Sequence, residues 1–224
     1  MFDKLLLKLR ANQTVPSDGL LIEEVGRHIE RWIGPYKVVH HELNSKMVHI
    51  DLYCVHPKPW HPFYTLVTSG MAQHAMHPPK GAERCKHAEL IIHLPADWPV
   101  DRLNDPVVNW PSTAVKMIIR YAHLSKRWVW EGHTISIREL DFPYMPFDSL
   151  LLWEPLLVDK EKMGIVLKDG RLVVFFTAVF IYRDEREFAE QHGSEALIQR
   201  AKQTGRLDEM FVVNPKRASV LTIP

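Results

Sequence analysis

The stretch Leu172-Val173-Val174-Phe175-Phe176-Thr177-Ala178-Val179-Phe180 constrains this chain more than any other. Its β-branched and aromatic residues suit a pleated, packed surface, and it has no polar alternation that would leave one face to water. Such a strand belongs at the centre of a sheet, buried on both faces. Met163 to Leu167 reads as its hairpin partner, joined through Lys168-Asp169-Gly170-Arg171, because Asp-Gly accepts the left-handed backbone of a tight turn.

A second apolar run, Phe63 to Met71, reads as a buried strand that ends in a shaped turn at Ser69-Gly70. Ahead of it, Ser17 or Asp18 can cap a helix in which Leu21, Val25, His28, Ile29 and Trp32 share one face, stopped by Gly34-Pro35. Tyr36 to Leu43 and Met47 to His56 predict a hairpin turning at Asn44-Ser45. His87 to Leu94 alternates as a further strand. Trp110-Pro111-Ser112 opens a second helix through Val115, Ile118, Ile119 and Ala122. His133 to Ile137 and Ser149 to Trp153 read as short elements between prolines. Asp184 to Gln191 and Ser194 to Gln203 read as helices separated by Gly193 and ended at Gly205. The pattern predicts an α+β fold, a largely antiparallel or mixed central sheet covered by helices, in one domain over 1–224 with an N-terminal helical extension at 1–35. Thr65 to Gly70, Ile50, Leu90 and Phe175 are expected in one core.

At 224 residues and 46% hydrophobic, the chain can bury enough surface to need no disulfide or structural metal. A net charge of +1 with both signs interspersed provides no field to draw in nucleic acid. Cys54 and Cys85 form no Cys-x-x-Cys pair, which predicts free thiols in a reducing, cytoplasmic setting. No stretch is apolar enough to span a bilayer, and the apolar core of Met1 to Arg10 is too short for a signal peptide. That segment is expected to pack on the domain.

Period-two geometry places His49, Asp51 and Tyr53 on one face of a strand and His87, Glu89 and His93 on one face of another. Were the strands adjacent, these groups would have the residue types for acid/base or metal chemistry. Against this, the chain has no His-Glu-x-x-His helix, Gly-x-Ser-x-Gly elbow, phosphate-binding glycine loop or zinc-type cysteine spacing. The polar side is therefore expected to face helix ends or solvent, with Val48, Ile50, Leu52, Leu90 and Ile92 turned to the core. The 13 histidines are scattered, and no cofactor or metal is expected. Lys116, Arg120, Lys126 and Arg127 read as one solvated helix side, and the tryptophans from Trp60 to Trp153 as packing groups.

An ordered set of motifs carries a resemblance. It comprises Val48-His49-Ile50-Asp51, Tyr64 to Met71 with Met76, Ala88-Glu89-Leu90, Leu94-Pro95-Ala96-Asp97-Trp98-Pro99, and Trp110-Pro111 with Arg120-Tyr121-Ala122. Gly132-His133-Thr134-Ile135 and Phe188-Ala189-Glu190-Gln191-His192-Gly193 with Ala196-Leu197 complete it. Over roughly residues 36 to 205 the chain resembles the suppressor-of-fused-like domain family in a short, single-domain, bacterial-type form. It departs from the family pattern at Ala72-Gln73, Ala75 and Glu185-Arg186.

The resemblance implies a non-catalytic module that binds a protein partner. Short bacterial relatives look like immunity proteins that neutralise a cognate toxin domain by direct binding, and this role ranks first. Animal relatives clamp an extended peptide of a transcription factor between two domains, which makes a sequestering, peptide-binding role one alternative. An enzyme using His49, Asp51, Glu89 and His93 is the other. Thr68, Ser69, Gly70, Met71, Met76 and His77 are the expected contact surface, because a rigid strand would hold the turn and its methionines would offer adaptable apolar contacts.

Overall fold

A computed structural model describes residues 16–42, 47–140, 142, 145–157 and 164–222. Its strands are β1 (Tyr36–His40), β2 (Asp51–Val55), β3 (Phe63–Ser69), β4 (His87–Pro95), β5 (Thr134–Ser136), β6 (Ser149–Trp153), β7 (Gly164–Val166) and β8 (Leu172–Ile181). They form one sheet in the order β1-β2-β3-β4-β8-β6-β5, with β7 against β8. Every pairing is antiparallel except β4 with β8. The sheet is therefore mixed, within an α+β architecture. Its helices are α1 (Gly19–Trp32), α2 (Pro106–Leu124), α3 (Arg183–His192), α4 (Ser194–Gln203) and α5 (Leu207–Phe211).

The apolar run is central, as its composition requires. One edge of β8 pairs with β4, while the other pairs first with β7 and then with β6. Phe176, Ala178 and Phe180 point to the α2 side, where Ile50, Leu66 and Leu90 meet Ala114, Val115, Ile118, Ile119 and Ala122. Fully burying each of the larger aliphatic side chains contributes about 1.5–3 kcal/mol. Val173 and Phe175 point the other way, against Leu21, Val25 and Ile29 of α1. Farther along that second face, Val179 and Ile181 meet Leu197, Ile198 and Phe211. Phe175 thus lies across the sheet from Ile50 and Leu90. The expected single core is divided between two faces, because alternation along β8 sends adjacent residues to opposite sides.

Local chemistry explains the element ends. Asp18 accepts the Leu21 N–H at 3.0 Å and caps α1. Gly170, at φ 87°, closes the β7–β8 turn with its N–H on the Leu167 carbonyl at 2.9 Å. The second helix starts earlier than Trp110: Asp105 accepts the Val107 N–H and Pro106 occupies the first turn, leaving Pro111 inside the helix. Just after α5, Val212 makes one isolated parallel bridge to His93.

Two surface expectations change. Trp60 is 80% exposed instead of packed. Lys116 and Arg120 leave the basic helix side to pair with Glu42. Cys54 and Cys85 are free and buried, and burial pushes the Cys54 thiol up to about 11. Among the described residues, no helix is long and apolar enough to cross a membrane. Residues 1–15 and the Asn44-Ser45 turn lie outside the described residues, as does Met163 at the start of the hairpin.

Candidate functional site

β3 lies between β2 and β4, so the polar residues of those strands share a face without converging. At the start of β2, Asp51 accepts hydrogen bonds from His49 Nε2 at 2.8 Å and His41 Nδ1 at 3.1 Å, and from the Glu42 N–H at 3.2 Å. Tyr53 lies under α1, donating its hydroxyl to the Ile22 carbonyl at 2.9 Å, and burial raises its pKa. At the opposite end, Thr65 Oγ1 links His93 Nδ1 at 3.0 Å to His61 Nε2 at 2.7 Å. Burial holds His93 down to about 3. Asp51, Glu89 and His93 are all enclosed, so of the two surroundings expected for this side, helix ends or solvent, solvent is ruled out at these residues. The middle of this side packs under α1, the turn after β3 encloses Glu89, and Phe63 and Val212 close over His93.

Glu89 organises the turn after β3. Its carboxylate accepts the Thr68 hydroxyl at 2.5 Å and the Gly70 and Ala72 N–H groups at 2.8 and 3.0 Å. Burial outweighs those bonds and raises its pKa. His87 Nδ1 and Arg171 add hydrogen bonds to the Ala72 carbonyl at 3.0 and 3.1 Å. Gly70 holds φ 143°, and a Cβ there would lie 1.8 Å from the His49 carbonyl oxygen, so the position admits only glycine.

Thr68, Ser69, Gly70, Met71 and Met76 are consequently buried, and only His77 of the expected contact set faces outward. The two methionines plug the α2-side core and do not offer an adaptable surface. The His77 N–H reaches toward the Arg127 carbonyl at 3.5 Å, so the exposed part of the loop adjoins another feature.

That feature is a groove of about 620 Å³ beside the outer strand β5, walled by Tyr121, Arg127, Trp128, His133, Glu190 and Ser194. Trp128 and His133 meet edge to face with centroids 4.8 Å apart. Ser194 donates its hydroxyl to the Gly132 carbonyl at 2.7 Å and ties α4 to the groove. The His133 carbonyl and Ile137 N–H bond inward to Leu152 and Asp148. By antiparallel alternation, the N–H and C=O of Thr134 and Ser136 therefore point away from β6, toward an edge that no described strand pairs. Sequence inspection missed this site because it is assembled from distant segments. Its one local signal is the short Thr134-Ile135-Ser136 strand after Gly132.

A sequence profile described as suppressor of fused protein (SUFU) matches residues 46–218. The chain belongs to the SUFU family. Several solved structures share its fold. It is 16% identical to a SUFU homologue from Neisseria gonorrhoeae FA 1090, with TM-score 0.61 over 91% of this chain and 98% of that one. It is 18% identical to a chain of the Sufu–Fu complex, with TM-score 0.63 and 92% and 93% covered. Against Drosophila Suppressor of Fused the identity is 15% and the TM-score 0.60, with 93% of this chain and 52% of that one covered. The chain therefore spans about half of the Drosophila protein. No curated protein sequence matches it.

Proposed function

We propose that this SUFU-family chain is a non-catalytic protein-binding module that takes an extended segment of its partner as an added strand on β5. The outward backbone of Thr134 and Ser136 carries this reading, since a peptide laid there gains ladder hydrogen bonds while its side chains enter the adjoining groove. Tyr121 and Trp128 supply rigid aromatic contact area; Arg127 and Glu190 bracket it with opposite charges. One of the fold neighbours was solved in a complex, Sufu–Fu, which supports a protein as the partner class. Asp51 on β2 is separated from Glu89 and His93 by β3, and Ile91 lies between Glu89 and His93 along the same face of β4, which weighs against the acid/base alternative.

Within this reading the partner is a toxin domain and the chain its immunity protein, a role proposed on resemblance to short bacterial relatives. The buried free thiols fit a reducing, cytoplasmic setting. The described residues share one sheet, which fits a single binding domain. His77 joins the contact surface at its rim, where its loop meets Arg127.

The test is purification of the tagged chain under mild conditions, identification of proteins that co-purify, and repetition with Thr134→Pro. Proline removes an N–H that β6 does not use, and edge strands tolerate it. The variant should lose about tenfold or more of the partner affinity with little change in melting temperature. Full affinity in a folded Thr134→Pro protein would move the binding site elsewhere.

A further inference from the structure

We propose that His41, His49 and Asp51 form a binding site for a divalent transition metal, which fastens the residue after β1 to the start of β2. One ligand atom from each lies within 4.8 Å of the other two. The contacts already present, 2.8 Å from His49 Nε2 to Asp51 Oδ1 and 3.1 Å from His41 Nδ1 to Oδ2, come close to the required spacing. Metal–ligand bonds of about 2.0–2.2 Å place neighbouring donors about 3–3.5 Å apart. Little more than a reorientation of His41 separates the hydrogen-bonded trio from a chelate.

The trio is graded from inside to outside. The side chain of Asp51 is 1% exposed, that of His49 17% and that of His41 62%. Asp51 is fixed in β2 by its pairing with Ser69, so the anion at the bottom of the site stays in place. The outermost imidazole leaves room for water in the remaining coordination positions. The Glu42 N–H on Asp51 Oδ1 at 3.2 Å is an outer contact of the kind that orients a ligating carboxylate. The Glu42 carboxylate pairs with Arg120 and lies 3.9 Å from Lys116, whose ammonium also interacts with the Asp51 charge.

Two imidazole nitrogens and one carboxylate oxygen select zinc, nickel, cobalt or copper over calcium and magnesium, which prefer all-oxygen sites. In the metal-free trio each ring directs an N–H at Asp51. On binding, His41 Nδ1 and His49 Nε2 present lone pairs instead, and the proton moves to the other ring nitrogen. The site lies on different elements from the β5 groove and stands independently of the binding role.

The full chain, stripped with a chelator and dialysed, would be titrated with zinc chloride by calorimetry, with melting temperature as a second readout. The expected result is one zinc per chain with a raised melting temperature. His41→Ala and His49→Gln should each weaken zinc binding by about tenfold or more. Magnesium and calcium at the same concentrations should register nothing. His41 is exposed enough for its variant to remain folded, which keeps the comparison interpretable. Absence of zinc binding would overturn the proposal. So would unchanged affinity in a variant combining His41→Ala and His49→Gln, which would put the metal elsewhere, or calcium binding as tight as zinc.

Discussion

Arg217→Ala is expected to destabilise the fold by about 3–5 kcal/mol, the range for removing one partner of a buried ion pair. Arg217 meets Glu185 in a two-pronged contact, with both N–O distances at 2.6 Å, and each side chain is almost fully buried. The same guanidinium donates to the Phe180 carbonyl at 2.9 Å at the end of β8 and lies 4.6 Å from the Tyr182 ring centroid. Glu185 in turn accepts the Tyr182 and Val220 N–H groups at 2.9 and 2.8 Å. Truncating the arginine would strand a buried carboxylate and release the C-terminal segment from the start of α3. Removing both charges in Arg217→Met/Glu185→Leu should cost much less, because no ion is left unpaired. Urea unfolding midpoints give both values. A loss below about 1 kcal/mol in the single variant would mean that the pair does not anchor the tail.

Stability is also expected to fall between pH 6.5 and 5. Burial holds His93 down to about 3 and His123 down to about 4, and the His123 Nε2–H donates to the Met71 carbonyl at 3.0 Å. In the folded state both rings remain neutral at pH 5, whereas unfolded histidine, near 6.5, takes up protons. Their contribution is complete above pH 6.5 and is lost as pH falls toward the folded values. At about 1.36 kcal/mol per pH unit, each histidine costs about 2 kcal/mol by pH 5. Glu89 works in the opposite sense: its raised folded pKa makes protonation favour the native state, which offsets part of the loss. Unfolding free energies at pH 7.5 and 5, with and without His123→Gln, measure the effect. The variant should flatten the profile; a flat profile in the parent chain would contradict the account.

The parts of the fold legible from sequence are those set by short-range pattern. The burial of β8 on both faces, Asp18 as a cap and Asp169-Gly170 as a turn each follow from local chemistry, whereas the side that Phe175 takes does not match the single core expected for it with Leu90. Ser149–Trp153 and Ser194–Gln203 have the expected limits for the same reason. What alternation along β2 and β4 cannot say is which helix covers their polar side. Glu89, on a side expected to face helix ends or solvent, is a buried acceptor that draws the turn, with Met71, into the core. His41 escaped notice because it meets Asp51 only through the β1–β2 connection. The β5 groove draws on α2, the segment around Trp128 and His133, and the start of α4, a juxtaposition set by tertiary packing.

Hydrogen–deuterium exchange on the chain with and without its co-purified partner tests the central claim most directly. The amides of Thr134 and Ser136 should exchange freely in the isolated protein and become strongly protected in the complex, as a new strand pairs the β5 edge. Protection confined to β1 or to α1, with these two amides unchanged, would contradict strand addition at β5.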